Sequence, residues 1–175
     1  MTDPWVPRFA SHTGWVNGAV RSRAHAMNSD EYDDPTLEAK WLSEQRDNVQ
    51  RYLRNEGVQH RGVASEPEWF VAPYVSVWTI ESMVAPGVVG WWAISGDLPT
   101  DYLGGGDATD ARTALIAFAD RWREVSSYML RGEEHPTIRI GRSRDWRKLG
   151  DLLQRRAQII EDWSNDDEMW QRPEA

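Results

Sequence analysis

The run of residues 71–102, VAPYVSVWTIESMVAPGVVGWWAISGDLPTDY, constrains the fold more than any other part of the chain. It holds two apolar segments of strand length, rich in Val, Ile, Thr and aromatic residues, which favour β structure. Between them stands Ala85-Pro86-Gly87-Val88, in which Pro and Gly occupy the positions that a type II turn requires. The sequence therefore predicts an antiparallel hairpin over about 74–95.

The first strand of this hairpin is apolar on both faces. Val75 and Val77 alternate with Trp78 and Ile80, so both sides of the strand favour burial. Because two strands alone are marginal in water, the hairpin needs at least a third strand. Residues 68–71 and the segment PTIRI (136–140) are the two candidates.

Three amphipathic helices are predicted around this hairpin. Asp34 as N-cap and Pro35 in the first turn begin a helix over 36–56, which Gly57 ends. A second helix runs from near Thr109 to Gly132, and a third begins after Ser143 as N-cap. Each has one apolar stripe that must pack against another element. The predicted fold class is α+β, a small antiparallel sheet packed against three helices.

The flanking segments suggest one domain with two tails. Residues 1–33 lack a sustained period and predict a flexible tail, residues 34–170 predict the domain, and residues 171–175 a second tail. Met27 offers an alternative start of translation, which leaves open whether residues 1–26 belong to the native protein. The polar stretch QHRGVASEPEW, 59–69, predicts a loop.

Charge and composition restrict the classes of partner. A net charge of −8 repels phosphate backbones, so we expect no nucleic-acid partner and instead a protein with a basic surface or a small ligand. The chain has no cysteine, which fits a reducing cytoplasm, and no stretch of the roughly 20 apolar residues that a membrane span needs. We expect a cytoplasmic protein with no membrane association, and the oligomeric state is left open.

The 11 tryptophans support two interpretations. Most of the indole rings are expected in the core, yet aromatic residues are also enriched at binding surfaces. The hairpin aromatics are more than one core accommodates, so some of them are expected to line a groove. The binding candidates are Tyr74, Trp78, Trp92, Thr100, Tyr102 and His60.

An acidic loop is predicted at the exit of the hairpin, over 96–102. Asp97 and Asp101 stand four residues apart there, and such a pair is able to hold a cation or share a proton. Glu81 is the third catalytic candidate, because partial burial of a carboxylate raises its proton affinity. Turn chemistry alone also explains the loop. No histidine pairing indicates a metal site, and no motif indicates a cofactor.

Four segments of the sequence carry a resemblance to a known family. They are WLSEQRDNVQRYLRNEGV (41–58), EWFVAPYVSVWTIES (68–82), GWWAISGDLPTDY (90–102) and DWSNDDEMW (162–170). On these segments the chain resembles a bacterial family known as domain of unknown function 4826, over most of positions 37–170. The resemblance implies a single compact domain in the bacterial cytosol, and it implies no activity for any residue.

Two functional hypotheses follow from these observations. The leading one is a non-catalytic binding module, of the partner-masking or immunity-like kind, that uses an acidic, Trp-rich surface. The alternative is a small enzyme or metal-binding protein with its carboxylate site in the 96–102 loop. The geometry of Asp97 and Asp101 separates the two hypotheses, because distant carboxylates cannot form one site.

Overall fold

A computed structural model describes residues 8–9, 34–140 and 145–170 of the chain. Within these residues it has three α-helices: α1 (Pro35–Glu56), α2 (Ala111–Arg131) and α3 (Trp146–Asn165). The strands are β1 (Arg8–Phe9), β2 (His60–Val63), β3 (Trp69–Val71), β4 (Val75–Ser82), β5 (Val89–Gly96), β6 (Leu98–Gly104) and β7 (Arg139–Ile140). The α+β class predicted from the sequence is confirmed.

Five strands form an antiparallel sheet with β4 and β5 at its centre. The order is β2-β4-β5-β6, and β3 pairs with the start of β4 on the same side as β2. The turn between β4 and β5 has the predicted form, because Val88 N donates to Ala85 O at 3.2 Å and Gly87 has φ 74°. The predicted hairpin is confirmed.

The helices cover both faces of the sheet. Val75 and Val77 face α2 and α3, while Trp78 and Ile80 face α1. Each face buries its own cluster of apolar side chains, so the sheet forms the middle of three layers. This arrangement accounts for the apolar character of β4 on both faces.

Three local predictions were wrong. The polar stretch 59–69 contains β2, whose polar residues suit an edge strand rather than a loop. The PTIRI segment contributes β7, which pairs in parallel with β1 in a separate two-stranded sheet. The predicted acidic loop 96–102 is mostly strand β6, which begins at Leu98. Of its residues, only Gly96, the last residue of β5, and Asp97, in the turn, lie outside β6. By contrast, the strand predicted at 68–71 is confirmed as β3.

The predicted ends of the helices agree with the structure where they are described. Asp34 accepts a bond from Thr36 N at 2.8 Å, and Gly57 ends α1 with φ 71°. The cap of α2 is Asp110, one residue after the predicted start, and Gly132 ends that helix. Ser143, the predicted cap of α3, lies outside the described residues. So do the predicted tails, apart from β1.

Candidate functional site

Asp101 is fully buried within β6. Its Oδ2 accepts a bond from the indole N–H of Trp122 at 2.9 Å, and its Oδ1 accepts from the main-chain N–H of Tyr102 at 2.8 Å. The Arg121 Nε lies 3.7 Å from the same Oδ2. A carboxylate with this many internal partners is held as part of the scaffold, and water does not reach it.

These contacts also close the open edge of the sheet at β6. Arg121 Nη1 donates to Tyr102 O at 2.9 Å, and the Asp101 carboxylate accepts a hydrogen bond from the Tyr102 main-chain N–H. Further along the strand, Gly104 N donates to Asp107 at 2.8 Å. Because an unpaired edge is a template for strand addition, capping of its polar groups by side chains protects the sheet.

Burial perturbs the acid–base behaviour of this region. Burial raises the pKa of Asp101, and the nearby Arg121 charge opposes that rise. Burial also raises the pKa of Tyr102, to about 12, with a further increase from the Glu56 carboxylate. The pKa of Tyr52 is raised by burial and by Asp101. Perturbed groups of this kind mark catalytic sites only when they face a cleft, and Asp101 faces its own scaffold.

Asp97 has a different environment from Asp101. It lies in the turn before β6 with its side chain 68% exposed, and it pairs with Arg156 of α3 at 3.1 Å. The three residue-to-residue steps from Leu98 to Asp101 along the strand span roughly 10 Å. The two candidate carboxylates therefore do not share one site. Thr100 lies between them, half-buried, with its hydroxyl 3.3 Å from that of Ser95.

Glu81 and His60 lie at the opposite end of the sheet from Asp97. The Glu81 carboxylate accepts a bond from Gly87 N at 3.0 Å and so holds the β4–β5 turn. His60 begins β2 opposite Ser82, and partial burial lowers its pKa. Neither residue approaches Asp97 closely, because the eight residues of β4 span roughly 25 Å.

Three of the predicted binding aromatics are in the core. Trp78 is fully buried, Trp92 is 4% exposed and Tyr102 is 8% exposed. The indole N–H of Trp78 donates to Ser76 Oγ, and that of Trp92 donates to Ala108 O. These two tryptophans are thus used in packing, with both of their indole donors satisfied.

Tyr74 opens onto a groove of about 240 Å³, here called the Tyr74 groove. The β3–β4 and β5–β6 turns form one side of it and α3 forms the other. Tyr74 and Trp163 lie 6.4 Å apart between ring centroids, and the Asp97–Arg156 ion pair lines the same hollow. The full lining is Tyr74, Asp97, Leu98, Arg156, Ile159, Ile160 and Trp163.

The β4–β5 turn carries a second open surface, here called the hairpin tip and defined as Met83, Val84, Val88 and Val89. Their exposed fractions are 52%, 91%, 53% and 37%. The main chain beneath them is tied internally, because Val84 N and Ala85 N both donate to Ser82 Oγ at 3.3 Å. Together with the Glu81 bond to Gly87, these contacts hold four apolar side chains in water.

Comparison with known proteins identifies the family. A family model described as a domain of unknown function, DUF4826, matches residues 35–170. The chain belongs to the DUF4826 family. No curated protein and no solved structure matches it.

Within its described residues, the DUF4826 domain has no group of three or more His, Asp or Glu side chains arranged to hold a metal ion. None of the described helices is both long enough and apolar enough to cross a bilayer. His135, which follows the end of α2, lies 3.1 Å from the Glu124 carboxylate on α2, so its acidic neighbour is neither Asp97 nor Asp101.

Two features of the DUF4826 domain escaped the sequence analysis. Arg121 lies three residues after Phe118 and four before Val125, so it falls on the apolar stripe of α2, where a charge needs a buried partner. The hairpin tip was also visible as MVAPGVV, because turns are ordinarily polar and this one is apolar. Both signals are departures from an expected pattern.

Proposed function

We propose that this DUF4826 protein is a non-catalytic protein-binding module that docks through the hairpin tip. The observation that carries the proposal is the exposure of Met83, Val84, Val88 and Val89 on a turn that its own hydrogen bonds hold in place. Contiguous apolar side chains in water favour association, and a preorganised element loses little conformational entropy when it binds.

The environment of the candidate carboxylates supports binding rather than catalysis. Asp101 is engaged by Trp122 and the β6 main chain, whereas Asp97 stands in the exposed turn that precedes β6. Glu81 holds the β4–β5 turn. Each of the three catalytic candidates thus has a structural partner, and none shares a cleft with another.

The shape and charge of the module indicate its partner. A convex apolar tip fits a concave apolar pocket, and a net charge of −8 favours a partner with a basic surface around that pocket. A module of this kind acts by covering the functional surface of its partner, as immunity-like, partner-masking proteins do. Its place of action on this proposal is the bacterial cytoplasm.

Affinity purification of the full chain from its native host tests the proposal. Val84→Asp places a charge at a side chain that is 91% exposed, so the fold is expected to tolerate it. Ile116→Asp is the matched control, because Ile116 is also an exposed apolar residue, at 41%, but lies on helix α2 and not on the β4–β5 turn. We expect the wild type and Ile116→Asp to retain a stoichiometric partner and Val84→Asp to weaken its retention by about 30-fold, the effect of losing an interface anchor.

Two results would contradict the proposal. One is retention of the same partner by Val84→Asp and the wild type at equal strength. The other is the absence of a stoichiometric partner from every preparation under mild conditions.

A further inference from the structure

The Tyr74 groove differs in chemistry from the hairpin tip. Its walls are the rings of Tyr74 and Trp163, inclined at 52°, together with the Leu98 and Ile159 side chains. Aromatic faces attract cations through their electron-rich surfaces, and arginine exploits this most often. The walls alone therefore favour a cationic side chain with a long apolar stem over an anion.

The rim of the groove supplies a carboxylate for that cation. Asp97 is 68% exposed, and Arg156 engages only its Oδ2. Across residues 34–140 and 145–170, no side chain or main-chain group donates a hydrogen bond to Asp97 Oδ1. Exposed ion pairs contribute little free energy, so the existing Asp97–Arg156 pair opposes an incoming cation only weakly.

The charge of the whole chain acts in the same direction. A net charge of −8 raises the local concentration of cations and lowers that of anions. The aromatic walls, the Asp97 carboxylate at the rim and the negative net charge of the chain therefore all favour a positively charged ligand.

The volume of the groove selects the size of the guest. Sites for small molecules and cofactors usually exceed about 300 Å³. The Tyr74 groove has about 240 Å³, which suits a single long side chain. Arginine is favoured over lysine, because its planar guanidinium stacks on aromatic rings and donates two parallel hydrogen bonds to a carboxylate. The lysine ammonium is a compact, strongly hydrated charge.

We propose that the Tyr74 groove binds an arginine side chain of a partner protein, with Asp97 as its counter-ion and Tyr74 and Trp163 as its walls. The arginine stem lies along Leu98 and Ile159. This site is separate from the hairpin tip, at the opposite end of β4, and it does not depend on the docking role of the tip.

Titration with N-acetyl-arginine N-methylamide tests this proposal, and N-acetyl-citrulline N-methylamide serves as the neutral isostere. The readout is the indole N–H signal of Trp163 in a two-dimensional NMR spectrum of the full chain. We expect a saturable shift with the arginine compound and none with citrulline. Asp97→Asn is expected to weaken the binding by about fivefold, the effect of one exposed charge pair.

Asp151→Asn is the matched control, because Asp151 also pairs with an arginine of α3, Arg155, at 2.9 Å and lies outside the groove lining. It removes the same charge and the same kind of ion pair, so we expect unchanged binding.

Equal shifts with arginine and citrulline, equal effects of the two Asn variants, or no saturable shift would each overturn the proposal. Loss of the arginine response would leave the affinity purification of the hairpin-tip partner unaffected, so the two proposals fail separately.

Discussion

Asp101→Ala is expected to lower the free energy of unfolding by about 3–5 kcal/mol, the usual result of removing one member of a buried charged pair. The substitution leaves the Trp122 indole N–H and the Tyr102 main-chain N–H without their acceptor, and it removes the carboxylate beside Arg121. Because small domains have about 5–15 kcal/mol of stability in total, this loss is large. Urea denaturation measures it.

Asp97→Ala is the control for this prediction, since it removes the same side chain from the exposed end of the same segment. We expect a change below about 1 kcal/mol, because the Asp97–Arg156 pair is solvent-exposed. Asp101→Asn, which keeps one acceptor oxygen, is expected to fall between the two. A stability of Asp101→Ala equal to that of Asp97→Ala would show that the buried carboxylate is not a structural element.

Trp78→Ala is expected to cost a similar amount, about 3–5 kcal/mol, as large-to-small substitutions of buried aromatic residues do. Trp78 is fully buried between β4 and α1. Its indole N–H donates to Ser76 Oγ, and the Ser76 hydroxyl donates to Ser95 O at 2.9 Å. The Ser95 hydroxyl in turn donates to Gln45 on α1 at 2.8 Å, so the chain of bonds ties the sheet to the helix.

Trp78→Phe separates the two contributions, because it keeps most of the ring volume and removes the N–H donor. We expect it to cost about 1 kcal/mol from the hydrogen bond, with a further loss from the smaller ring. Tyr74→Ala, at the half-buried wall of the Tyr74 groove, is expected to destabilise the chain less than Trp78→Ala. Thermal unfolding of the three variants orders them, and a Tyr74 effect larger than the Trp78 effect would contradict this placement of the core.

The fold followed from periodicity and from strong local signals. Asp34 and Pro35 set the start of α1, and Gly57 set its end, because caps act through neighbouring main-chain groups. The β4–β5 turn followed from Pro86 and Gly87 for the same reason. The edge strand β2 did not, because its polar residues satisfy the pattern of an exposed strand and of a loop equally well.

The candidate site was less accessible from the sequence. The placement of Asp101 depends on Arg121 and Trp122, which lie about 20 residues away, and no local rule connects such positions. The polar residues of 96–102 indicated a loop because a buried carboxylate is rare. Asp101 is stable in the buried strand only because Arg121 and Trp122 of α2 pair with it. Contacts between elements therefore decided the role of each acidic residue.

Site-specific photo-crosslinking tests the binding account most directly. A photoreactive phenylalanine analogue at position 84 places the reactive group on the hairpin tip, and the same group at position 116 on α2 serves as the control. Irradiation of the native host expressing each variant is expected to give one discrete cross-linked product from position 84 and none from position 116. The absence of a product from position 84, or the same products from both positions, would contradict docking through the tip.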